Sequence, residues 1–172
     1  YGEGEWKVRK HGYNKYRTWR KLHMGSDGVD LEILSVTLTK NDVDDAEAGK
    51  DVIDQVKGQI DSVAGDGAYD KINFRSCLPK DVEQLIPPRK DGVVHKKKRA
   101  LRQRNKAIER IAEIGRVDWK KEVGYHIRSK SEVNMYRYKV IFGQKLKARK
   151  SDFEDCEIRI KSKILNKFVE LG

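Results

Sequence analysis

Two groups of residues in this sequence have the types and spacing to do chemistry. The first is Asp66, which follows a short strand-like segment at 60–64 and stands between Gly65 and Gly67. Glycines beside a carboxylate at a strand end let a metal ion and a phosphate backbone come close. The same three residues also make an ordinary Gly-Asp-Gly turn, which needs no function. The second group is Tyr125, Arg128, Glu132 and Lys139, separated by two, three and six residues. On a single helix their side chains fall within about 60° of one another and spread over roughly 20 Å. An acid set among cations suits a metal ligand working beside phosphates, with Arg as a bidentate fork, Lys as a point charge and Tyr as a hydroxyl donor. A solvated charged face gives the same pattern, and Arg128 stands at i−4 from Glu132, where a plain ion pair forms.

Several elements must position these groups. Residues 15–24 predict a strand, the turn at 25–28 leads to a second strand at 31–39, and the pair makes a hairpin. Asn41 or Asp42 is the expected cap of a helix carrying Ala46, Ile53 and Val56 on its apolar side. The strand at 60–64 ends at the Asp66 turn, and Asp70 is expected to cap a short helix that stops by Pro79. Residues 82–86 read as another strand, ended by Pro87 and Pro88. From 89 to about 115 the chain is strongly basic, yet Leu101, Ile108 and Ile111 recur on one side, which predicts an amphipathic helix. Residues 119–149 predict one long helix with weak points at Gly124 and Gly143. A last helix over 155–171 carries Ile158, Leu165, Phe168 and Val169. This order implies an α/β fold, a mixed sheet with helices on its faces.

The 172 residues make about one domain, and 37% hydrophobic residues supply a core. A net charge of +11 favours a polyanionic partner, because Lys and Arg that neutralise phosphates release counterions. Anionic membranes share that attraction. No apolar run approaches the ~18 residues of a membrane span, and no signal peptide is expected. Cys77 and Cys156 stand alone, so free thiols in a reducing, cytoplasmic compartment are expected. His11, His23, His95 and His126 lack ligand spacing and receive no metal role. Lys15, Arg17, Arg20 and Lys21 are interleaved with Tyr16 and Trp19. Half of a strand's side chains face inward, so of these Arg20 and Lys21 are taken as candidates for phosphate contact and Trp19 as core. The cluster at 96–106 reads as a general electrostatic patch.

The Tyr, Arg, Glu, Lys spacing resembles the signature of a large group of bacterial insertion-sequence transposases with a DDE catalytic core. The surrounding string Gly-Tyr-His-Ile-Arg-Ser-Lys-Ser-Glu-Val-Asn-Met-Tyr-Arg-Tyr-Lys is similar beyond those four positions. So are residues 15–23, Asn41-Asp42-Val43, the string Gly-Asp-Gly-Ala-Tyr-Asp at 65–70 and Ile-Pro-Pro-Arg at 86–89, in the family's order. The resemblance implies an RNase H-like (retroviral integrase-like) core in which three acids hold two divalent ions, Mg²⁺ or Mn²⁺. Asp66 matches the second Asp and Glu132 the Glu. Tyr125, Arg128 and Lys139 match residues that contact transposon-end DNA. Double-stranded DNA is the implied partner, two copies of the chain act together as a homodimer, and the setting is the bacterial nucleoid. Without covalent intermediates, strands at transposon ends are cut and joined.

No residue matches the family's first Asp, which lies on the strand just before the segment where the sequence opens. Asp27 and Asp30 fall in the hairpin turn. The sequence is thus read as one RNase H-like domain over 1–172, short of its first strand at the amino end, with a basic insertion at 89–120 before the Glu-bearing helix. Two metals need a bridging carboxylate, and the absent strand would be central, leaving an unpaired edge. By itself the chain is expected to cut little or no DNA. A DNA-binding or dimerising remnant without catalysis is the alternative. A basic RNA-binding protein is a third reading, but it lacks RNP-like aromatics or a KH-type loop.

Overall fold

A computed structural model of the chain describes residues 19–172. His11, with no metal role expected, and residues 15–18, including Lys15, Tyr16 and Arg17, expected in the first strand, lie outside the described residues. Strands β1 (Arg20–Ser26) and β2 (Ile33–Lys40) form the expected antiparallel hairpin, with a register shift at Gly25/Ser26. Leu31 in its turn takes φ 68.

Helix α1 (Asp45–Asp54) follows. Its cap is Asp44, whose carboxylate accepts from the Ala46 N–H at 2.9 Å, and not Asn41 or Asp42. All three are polar residues able to cap, so composition alone could not choose the one with extended backbone. Strands β3 (Ser62–Ala64) and β4 (Glu83–Leu85) pair in parallel around helix α2 (Ile72–Cys77). Among the described residues the hairpin and this parallel pair are separate two-stranded sheets, not one continuous mixed sheet. The class is α/β, but no described strand joins β1 to β3.

The basic stretch is mostly loop until a 3₁₀ turn at Arg99–Leu101 opens helix α3 (Arg102–Ile114). The expected long helix from 119 to 149 is broken at both glycines. Helix α4 is Arg116–Glu122, a 3₁₀ turn covers Tyr125–Arg128, and helix α5 is Ser129–Phe142. Gly124 (φ 66) and Gly143 (φ 76) have left-handed backbone that ends a helix. The last helix, α6 (Ser151–Glu170), starts four residues earlier than expected.

Two cores result. In one, Leu22, Met24, Ile33, Val36 and Leu38 of the hairpin pack against Tyr138 and Phe142 of α5 and Ile158 and Leu165 of α6. In the other, Ala46, Phe74, Leu78 and Ile86 pack with Val63 and Tyr69 beneath the parallel pair. Gly49 allows this packing, because a Cβ there would lie 2.7 Å from Tyr69 Cε1. Trp19, expected in the core, is 43% exposed. It stands just before β1, on the wall of an open cleft. No helix of the described residues is long and apolar enough to cross a membrane.

Candidate active site

Asp66 sits directly after β3 and caps the 3₁₀ turn Gly67–Tyr69, its Oδ1 accepting from the Ala68 N–H at 2.8 Å. That leaves Oδ2 facing outward, where Arg128 Nη2 lies 3.5 Å away. The same guanidinium donates through Nη1 to Glu132 Oε1 at 2.5 Å. Two carboxylates 66 positions apart in sequence are thus gathered around one cation. Tyr125 completes the cluster by donating its hydroxyl to the Gly65 carbonyl at 3.2 Å. In a 3₁₀ turn, residues three apart eclipse one another, which places Tyr125 and Arg128 on one side of the chain.

The electrostatics follow from this arrangement. Burial opposes the charge on Arg128, but the Glu132 hydrogen bond and the negative charges of Glu132 and Asp66 outweigh it and raise its pKa. Burial raises the pKa of Tyr125, against the pull of Arg128, so its hydroxyl stays protonated as a donor. Behind the turn, burial and the charges of Asp45 and Asp66 push Tyr69 up to about 12.

Lys139 lies on α5 and shares with Asp66, Tyr69, Met135 and β1 the wall of an open cleft of about 870 Å³. Arg20 and Lys21 line the same cleft but are already engaged. Arg20 pairs with Glu154 at 3.2 Å, and Lys21 donates to the Val43 carbonyl at 2.8 Å and to Asp45 at 3.1 Å. Hence Asp66, Glu132, Tyr125 and Arg128 are in direct contact through one another, whereas Arg20, Lys21 and Lys139 border the space beside them. Among the described residues no group of three or more His, Cys, Asp or Glu side chains could hold a metal ion. His23 instead shares a hydrogen bond with Thr39 at 2.9 Å.

Two residues support the site in roles that local sequence does not mark. Asn134, fully buried on α5, donates to the Leu31 carbonyl at 2.8 Å and to Ser26 Oγ at 3.0 Å, pinning the helix two residues beyond Glu132 onto the hairpin turn. Asp70 does not cap α2; Lys71 stands at that position without a side-chain bond. Its buried carboxylate instead accepts from Arg75 at 3.0 Å, Arg104 at 2.9 Å and the Arg89 N–H at 2.9 Å. Arg104 also donates to the Val93 carbonyl at 2.8 Å, so the basic segment is tied to the base of the Asp66 turn. An Arg-rich segment offers many cations, and nothing in the local pattern marks Arg75 or Arg104 as the buried ones.

The family model described as transposase DDE domain matches residues 1–167, and the chain belongs to that family. No solved structure matches the chain.

Proposed function

We propose that this chain is part of a DNA transposase in which Asp66 and Glu132 are two of the three acids of an RNase H-like active site. The observation that carries the reading is the Arg128 guanidinium reaching both carboxylates, at 3.5 and 2.5 Å. A cation already bridges the two acids, and their hard oxygen donors suit Mg²⁺ or Mn²⁺. Divalent ions held there would activate an attacking oxygen and stabilise the leaving one. Arg128, released from the acids, offers a bidentate fork to a phosphate, and Lys139 and Tyr125 add a point charge and a hydroxyl donor along the same cleft. Contact of Arg20 and Lys21 with phosphate would require them to exchange their partners Glu154 and Asp45. Two copies of the chain on double-stranded DNA would each present one transposon end.

Neither sheet offers a third acid beside Asp66 among the described residues, so the chain alone is expected to bind DNA and cut it little. The test is strand cleavage of transposon-end DNA with Mg²⁺ or Mn²⁺. A protein also carrying a strand with an Asp upstream should cut, and its Glu132→Gln form should bind without cutting. Cutting that survives both Asp66→Asn and Glu132→Gln would overturn the assignment. A DNA-binding or dimerising role without catalysis is favoured by one feature, the Arg128 charge lodged between the acids. Absence of metal-dependent cutting by the extended protein would select that role.

A further inference from the structure

Helix α6 is amphipathic twice over. One side, with Ile158, Ser162 and Leu165 buried, packs on β2, and Asn166 locks it there by bonding the Ile33 N–H at 2.8 Å and the Ile33 carbonyl at 2.9 Å. The other side carries Phe153, Ile160, Ile164, Phe168 and Leu171, all exposed. At about 100° per residue, Phe153, Ile160, Ile164 and Leu171 fall within about 40° of one another and roughly 140° from the buried face. A soluble helix with one core face ordinarily has a polar opposite face, so a second apolar stripe marks a contact.

The charges on the helix say what covers it. Its first half carries Asp152, Glu154, Asp155 and Glu157, and its second half Arg159, Lys161, Lys163 and Lys167. Asp152, Lys163 and Lys167 are exposed along one flank of the stripe. Laid antiparallel on its own copy about the point between Ile160 and Lys161, the helix sets Phe153 against Phe168 and brings Asp152 beside Lys167 of the second copy. A parallel pair would set acid against acid. We infer that α6 is the dimer contact of this chain, an isologous antiparallel helix pair with a second copy. A helix of 20 residues is about 30 Å long, and one such pair lies at the small end of stable interfaces. The inference gives a surface to the pairing proposed above and rests on that reading only for the role of the dimer.

Sedimentation equilibrium of the chain tests it without DNA or metal, so its failure leaves the strand-cutting assignment standing. A concentration-dependent monomer–dimer equilibrium is expected below about 100 μM. Ile160→Lys, on an exposed position, should weaken the dimer at least about tenfold with an unchanged circular dichroism spectrum. Lys167→Glu should weaken it too, and adding Asp152→Lys should restore it. Oxidation of Lys163→Cys should link that position to Cys156 of the second copy. A chain that stays monomeric, or a dimer indifferent to Ile160→Lys, overturns the inference. So does a Cys156–Cys156 link in the unmodified chain, which only parallel pairing would allow.

Discussion

The guanidinium of Arg128 lies 3.5 Å from the carboxylate of Asp66, although 62 residues separate them in the chain. It spans the gap between the end of β3 and the start of α5, and its other arm is held by Glu132. Arg128→Ala should therefore act on DNA binding in a way that a surface charge would not. If the fork transfers to a phosphate, the variant weakens DNA binding and lowers the slope of log affinity against log salt by about 0.9. Fluorescence anisotropy on duplex DNA across a salt series measures this. An unchanged slope would leave Arg128 as a purely internal tether.

Asp70 is the most consequential buried charge. Its side chain is wholly buried, and so, within 1%, is that of Arg75. Burial lowers the Arg75 pKa, and the Asp70 charge and hydrogen bond act against it. Asp70→Ala leaves two guanidinium groups facing each other without a counter-charge, and removing one partner of such a cluster costs about 3–5 kcal/mol. Urea denaturation should show that loss. A value under ~1 kcal/mol would mean that water or relaxation replaces the carboxylate.

The pH dependence of stability has an identifiable source in His23. Burial lowers its pKa below the model-peptide value of 6.5, and the neutral ring pairs with Thr39. A lowered folded pKa means that the unfolded chain binds the proton first. The contribution is full above pH 6.5 and is lost as pH falls from there through the lowered folded value. Denaturation midpoints between pH 8 and 5 should fall on the acid side, on the order of the ordinary His range. His23→Gln, which keeps a hydrogen-bonding side chain, should flatten that part of the curve.

Gly124 breaks the helix at the point that delivers Tyr125 and Arg128. A Cβ at Gly124 has only the His126 ring near it, at 3.9 Å, so the cost of Gly124→Ala comes from its φ of 66 alone. That cost is about 1–2 kcal/mol. The variant should also favour a continuous helix, turning Tyr125 off Gly65 and weakening DNA binding. Gly124→Asn, better tolerated in left-handed backbone, should recover most of the stability.

Much of this molecule is legible in one dimension. The hairpin, the strands on either side of Asp66 and both helix-breaking glycines follow from local periodicity and turn chemistry, because each depends on near neighbours. The cap at Asp44, the exposure of Trp19 and the break of the sheet into two pairs do not. Each turns on what lies across from the residue, and several polar or aromatic positions compete locally on equal terms.

The candidate site divides along the same line. The sequence by itself determined the kinds of groups present, a Gly-flanked acid and an acid among cations at helical spacing, together with the family they resemble. Only the tertiary structure decided that Arg128 joins Asp66 to Glu132, that Asn134 pins α5 to the Leu31 turn, and that Asp70 gathers Arg75 and Arg104. Those contacts span from 4 to 103 positions along the chain. The long ones are set by packing of distant elements, and no local pattern of side chains encodes them.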